Sequence, residues 1–203
     1  MTHCMTNLYI RILLIIQTLY CITSCTSLTT QHQKIIYPIH QNWEVKGKAA
    51  IISQEEKSSF HLFWSNNNQL NEEKITASNL FGITLFKIHS RKNHATLVLK
   101  DEKYQSNNID NLIRNITSLT FPFTKFKHYL TVNIQNSDKI TYDDLSRPDS
   151  ILFLSDESAY EHHCQLTYKQ WDTVHQYTVP KKIELSCQDG LRFILSISSW
   201  KIL

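Results

Sequence analysis

Glycine is nearly missing from this chain: only Gly47, Gly82 and Gly190 occur among 203 residues. Phosphate-cradling loops need several glycines in a short span, so nucleotide binding of that kind is excluded. Charge of one sign is also scarce. Lys and Arg number 21 against 18 Asp and Glu, a net charge of +3, and no basic block occurs anywhere. That balance gives no footing for nucleic acid. The 10 histidines are scattered without an H-E-x-x-H pair, and no G-x-S-x-G or similar nucleophile motif appears. Enzymatic activity is therefore not expected. No apolar run approaches the ~20 residues that a helix needs to cross a bilayer core.

What the N-terminus has instead is shorter. After Arg11, residues Ile12 to about Tyr20 form an apolar stretch with Leu13, Leu14, Ile15, Ile16 and Leu19, the size of a signal-peptide core. It ends on Ile22-Thr23-Ser24-Cys25, a cysteine preceded by small residues as in a bacterial lipobox. Cys4 lies too early and Cys21 follows bulky Tyr20, so Cys25 is the expected lipidation site. Residues 1–24 then read as a lipoprotein signal peptide, 25–42 as a lipidated N-terminus and tether, and 43–203 as one domain. The alternative is an ordinary signal peptide or an uncleaved anchor with an incidental cysteine. Acyl chains anchor stably because each buried methylene contributes about 0.8 kcal/mol. Thr26, rather than Asp, follows the cysteine, and by resemblance to the Gram-negative sorting rule this favours the outer membrane.

From Trp43 onward the pattern is mainly β. Trp43, Val45, Gly47, Ala49 and Ile51 alternate with Glu44, Lys46 and Lys48, a period of two with one apolar face. Gln54–Lys57 reads as a turn, Phe60, Leu62 and Trp64 as the returning arm, and Ser65–Gln69 as a second turn. Further strands are predicted over 74–78, 83–89, 95–99 and 103–105, then 151–154, 163–168, 171–178, 182–186 and 191–198. Gln188-Asp189-Gly190 is a hairpin signal.

Two segments break that period. Asn108 can cap a helix carrying Ile109, Leu112, Ile113 and Ile116 on one face. After Pro122, Phe123, Phe126, Tyr129 and Leu130 repeat the spacing. The expected fold is mainly β (α+β): a single curved antiparallel sheet of about ten strands, partly closed into an incomplete β-barrel, with short helices over its mouth.

Cys164 and Cys187 are the other mature cysteines. They could form one disulfide in an oxidising compartment. They fall on segments that a third predicted strand separates, so two free thiols are expected. His162-His163-Cys164 invites a metal reading, but on a strand His163 points away from its two neighbours. No second pair stands at zinc-site spacing, so neither metal nor cofactor is expected. Asp143-Asp144 and Glu55-Glu56 fall in predicted turns and read as solvated.

Trp43 with Lys46-Gly47, then Phe63-Trp64, then Asn79-Leu80-Phe81-Gly82, resembles the LolB family in order and spacing. Pro122, Leu166-Thr167-Tyr168, Pro180 before Ile183-Glu184-Leu185, and Trp200 extend the likeness to nearly all of 43–203. The resemblance implies an incomplete antiparallel barrel with a helical lid around an apolar cavity for acyl chains. It implies a receptor that takes acylated lipoproteins from the soluble periplasmic carrier LolA and inserts them into the inner leaflet of the outer membrane. It would do so as a monomer facing the periplasm and without nucleotide. An envelope lipoprotein that binds lipid or scaffolds outer-membrane assembly is the alternative. The chain departs from the family at Leu80 and Phe81, where a proline and a leucine are usual, and at Tyr129 and Thr131.

The resemblance also assigns sites. Leu80 and Phe81 become a membrane insertion loop, although apolar pairs at turns often fold back onto the body. Val45, Ala49, Ile51, Phe60, Leu62, Trp64, Phe86, Ile88, Leu97, Leu99, Phe193, Leu195 and Ile197 become the cavity wall. From sequence those residues fit a filled core equally well, and only the resemblance argues for a hollow one. Leu112, Ile113, Ile116, Phe123 and Phe126 become the lid, or else ordinary helix-packing residues.

Overall fold

The computed structural model describes residues 38–54, 57–117, 120–134, 139–154 and 163–203. Cys25, the signal segment, most of the tether, Glu55-Glu56 and His162 lie outside the described residues. Six strands come first: β1 (Trp43–Ile52), β2 (Lys57–Asn67), β3 (Glu72–Ser78), β4 (Thr84–Arg91), β5 (His94–Leu99) and β6 (Glu102–Ser106). Two helices follow, α1 (Ile109–Thr117) and α2 (Phe123–Leu130). Then come β7 (Lys139–Tyr142), β8 (Pro148–Leu154), β9 (His163–Val174), β10 (Tyr177–Cys187) and β11 (Arg192–Ile202).

All belong to one 11-stranded sheet in the order β6-β5-β4-β3-β2-β1-β11-β10-β9-β8-β7. The described pairings are antiparallel, and β6 and β7 are its edges, so the sheet does not close. The first and last strands pair at its centre, from Trp43 with Ile202 to Ile52 with Arg192. Alternation decides which face is covered. Val45, Ala49, Phe60, Leu62, Ile75, Ala77, Ile183, Leu185 and Leu195 are buried, while Lys46, Lys48, Lys74 and Lys87 are exposed. The buried face curves around the two helices.

Gly47 sits where β1 slips register against β11, and a Cβ there would lie 2.4 Å from the Ser196 carbonyl oxygen. That close approach is what the missing side chain permits. Asn108 caps α1 by accepting from the Asn111 N–H at 2.9 Å. The Asp110 carboxylate then accepts from the backbone N–H (3.1 Å) and the hydroxyl of Thr124, joining α1 to the start of α2.

Three expectations need correction. The predicted turn over Ser65–Gln69 begins only at Asn68. Ser65, Asn66 and Asn67 stay in the ladder because β3 pairs with all three and β1 with the first two, overriding asparagine's turn preference. The segment 171–178 is not a strand of its own. β9 runs on through it to Val174 and reverses at His175 (φ 54°), a turn that no Gly, Pro, Asn or Asp announces. β9 and β10 are therefore neighbours, Cys164 faces Cys187 across the pair, and the two form a disulfide with Cα atoms 4.1 Å apart. The expected free thiols are thereby overturned. β7, a short edge strand, was not anticipated.

Candidate functional site

The inward rows of β1 to β5 and β11 do not meet in the middle everywhere. At one end they leave a cavity of about 130 Å³. Its wall is Ile51 of β1, Phe60, Leu62 and Trp64 of β2, Ile75 of β3, Phe86 and Ile88 of β4, Leu97 and Leu99 of β5 and Phe193 of β11. Ile113 and Thr117 of α1, with Phe121, Phe123 and Leu191, complete it. Every lining side chain except Thr117 is apolar. Such a space repels water and offers dispersion contacts to a hydrocarbon.

Nine of the expected wall residues meet there: Ile51, Phe60, Leu62, Trp64, Phe86, Ile88, Leu97, Leu99 and Phe193. Val45, Ala49, Leu195 and Ile197 do not. They are buried in the solid core nearby, with Val45 paired to Trp64 and Ala49 to Leu195. Of the expected lid, Ile113 and Phe123 face the cavity. Leu112 is buried in the core, Ile116 packs partly against it, and Phe126 lies between Trp64, Phe121 and Phe193 at ring separations of 5.1–6.2 Å. Ile75, Thr117, Phe121 and Leu191 were missed. Ile75 was readable, since it stands in step with Ala77 on a predicted strand.

Trp64 closes the cavity toward the base. Its ring lies over Phe123 at 5.0 Å and meets Trp43 edge-on at 5.5 Å. Its indole N–H donates to Glu73 Oε1 at 2.8 Å, and Lys127 Nζ of α2 stands 3.5 Å from Glu73 Oε2. Burial holds the Glu73 carboxyl above its ordinary range, outweighing the opposing pull of Lys127 and of the Trp64 hydrogen bond. Two further bonds fix α2 to the sheet. Lys125 Nζ donates to the Leu154 carbonyl at 2.7 Å, and the Tyr168 hydroxyl to the Tyr129 carbonyl at 2.8 Å.

At the cavity's end away from Trp64, the β3–β4 turn projects just beyond the pairing of Ala77 with Phe86. Leu80 and Phe81 are 74% and 89% exposed, and Ile83 at 63% extends the patch. The turn is held by Asn79, whose side-chain oxygen accepts from the N–H groups of Phe81 (2.9 Å) and Ile83 (3.0 Å), with Gly82 at φ 79°. A firmly bonded turn thus presents three large apolar side chains to solvent.

His163 and Cys164 offer no metal pair. The Cys164 sulfur is committed to the disulfide, and no cluster of three metal-ligating side chains occurs among the described residues.

The family model described as "Outer membrane lipoprotein LolB" matches residues 41–200. The chain belongs to the LolB family of outer-membrane lipoproteins. It is 25% identical over 162 residues to the outer-membrane lipoprotein LolB of Shewanella loihica, covering 79% of this chain and 72% of that protein. The LolB of Shewanella woodyi is 27% identical over 164 residues, covering 80% and 74%. Among solved structures, the LolA superfamily protein NE2245 from Nitrosomonas europaea has the same fold, with a TM-score of 0.53 at 9% identity over 85% of this chain and 90% of that one. This chain and that protein thus share an open antiparallel sheet with helices against one face.

Proposed function

We propose that this LolB-family chain is an outer-membrane receptor that accepts acylated lipoproteins from the periplasmic carrier LolA and inserts them into the membrane's inner leaflet. Cys25, once acylated, would hold residues 43–203 at that surface through the tether. The observation that carries the reading is one of placement: an apolar cavity and an exposed apolar turn share one end of the sheet. A hydrocarbon guest and a bilayer would meet the protein at the same rim. A scaffold needs neither feature.

The cavity is about 130 Å³. An apolar cavity of about 150 Å³ takes a guest the size of benzene. An acyl chain needs more room, so the lid opens when cargo enters. α2 is tied down by Lys125, Lys127 and Tyr129, whereas α1 packs on β5 and β6 through Leu112 and Ile113. In this reading α1 swings and α2 stays. Phe81 then enters the acyl boundary, where burying it contributes on the order of 2 kcal/mol, enough to bias a transfer step without trapping the protein.

Depleting the protein tests the reading: acylated lipoproteins should accumulate in complex with the soluble carrier. If they reach the outer membrane at an undiminished rate, the receptor role is wrong. In a reconstituted transfer assay, Phe81→Glu should still strip cargo from the carrier but insert it about tenfold more slowly or worse. Normal insertion by that variant would remove the turn from the mechanism.

A further inference from the structure

One inward position of the barrel is chemically out of place. On β3 the inner row runs Glu73, Ile75, Ala77, and Glu73 is 7% exposed. A buried carboxylate needs partners. Its cross-strand neighbour Asn66 is turned elsewhere, donating its side-chain amide to Asn68 Oδ1 at 2.6 Å. Glu73 is satisfied instead by Trp64 of the cavity wall (2.8 Å) and Lys127 of α2 (3.5 Å).

Those contacts place Glu73 one inner step beneath the cavity. Trp64 pairs with Ile75, and both line the space, while Asn66 and Glu73 follow on the base side and do not. The indole is held from below by its N–H and pressed from the lid side by Phe123 at 5.0 Å. Beneath it the core is solid, with Trp43 at 5.5 Å and Trp43 in turn 5.8 Å from Trp200. The ring is the plane between open and filled space. A two-atom contact fixes the angle of a large flat ring far better than apolar packing alone, because rotating it would strand both a buried N–H and a buried carboxylate.

We infer that Glu73 is a positioning residue that holds Trp64 as the floor of the cavity, and that this floor sets how deep an acyl chain can enter. The inference rests on the cavity being the acyl site. Lys127 makes the same carboxylate one of the points at which α2 is docked, so floor and fixed lid helix share one group. A guest long enough to reach the indole meets a ring that cannot turn aside, and its remaining carbons stay toward the mouth beside α1 and the Leu80–Phe81 turn. Depth is thereby converted into length discrimination.

The test uses the full chain in phospholipid vesicles with saturated fatty acids of graded length, each carrying a photoreactive diazirine at its terminal carbon. Cross-links are mapped by peptide. In the wild-type protein the terminal carbon of the longer probes should stop at Trp64 and Phe123. In Glu73→Leu, labelling of Trp43 below the ring should rise about tenfold, the shift expected when a charge-assisted hydrogen bond is lost. Glu73→Gln, whose amide oxygen can still accept from the indole, should restore the wild-type stop. Far-UV circular dichroism checks that each variant is folded, and the Trp64 indole N–H resonance should move in Glu73→Leu alone. If Glu73→Leu does not fold, Trp64→Phe, which lacks the N–H, is read the same way. Labels that enter the cavity and stop at the same residues in every variant would overturn the role of Glu73. No cavity labelling by any probe in the wild-type protein would instead overturn the acyl-site reading itself.

Discussion

The two ends of this barrel use the same strands and the same alternation, yet one is solid and the other hollow. On the base side of Trp64 the inward position of β1 is occupied by Trp43, and away from the cavity α2 fills the centre with Phe126, Tyr129 and Leu130, all at most 2% exposed. On the mouth side the inward positions of the strands are just as apolar. Among the described residues, the centre there is met by Ile113 and Thr117 of α1, with Phe121 and Phe123 at the edge. A hollow is therefore made by withholding central side chains, not by altering the wall. Cavity residues keep the composition of a core, and the covering element differs.

If that comparison is right, truncation should cost more at the base. Leu130, fully enclosed by the solid core, should lose about 3–4 kcal/mol of folding stability as Leu130→Ala, within the range of buried leucine deletions. Leu97 lines the cavity and already lacks partners on one side, so Leu97→Ala should cost about half as much. Urea unfolding midpoints at unchanged slope decide the matter. Equal costs would mean that the cavity closes in solution.

The hollow end also needs a different restraint. The β9–β10 hairpin and its neighbour β8 are covered by Tyr129, which packs on Phe153 of β8 at 4.8 Å and accepts from Tyr168 of β9. At the mouth the same hairpin is stapled by Cys164–Cys187, just before Leu191 enters the cavity wall. A loop closed over a sequence separation of 23 should be worth about 3 kcal/mol, chiefly by restricting the unfolded chain. Paired Cys164→Ser and Cys187→Ser substitutions should lower the urea midpoint accordingly while leaving the Trp64 indole resonance in place. A smaller loss with a shifted indole signal would show instead that the staple shapes the floor.

Legibility in the sequence followed the same division. The wall was readable because period two is a local property: Phe60, Leu62 and Trp64 needed only their own neighbours. The helix starts were readable too, since the Asn108 cap and the break at Pro122 act within one turn. Emptiness was not, because Ile51 and Val45 are equivalent letters on one strand, and only what faces them across the fold separates cavity from core. The disulfide was misjudged for a related reason. One unannounced turn at His175 decides whether Cys164 and Cys187 are neighbours. Glu73 lies just outside the predicted strand, which begins at Lys74, although it stands in step with Ile75 on the inward side.

The smallest effect is also the one that separates packed core from hollow by sign. Ala49 is 2% exposed in the packed core outside the cavity lining, paired with Phe60 and Leu195. Extra carbons there have nowhere to go, and Ala49→Leu should cost about 1–3 kcal/mol through displaced rotamers and backbone. Leu99 stands on the cavity wall opposite Phe86, with open space before it. Leu99→Phe adds volume where volume is missing, so its cost should be near zero and its sign can favour folding by up to about 1 kcal/mol. The same substitution should weaken capture of acylated cargo, because the added ring occupies the space the acyl chain would take. A Leu99→Phe protein that is more stable and binds cargo less well is the outcome a built hollow requires. If it is destabilised as much as Ala49→Leu, the mouth is packed in solution and the contrast between the ends disappears.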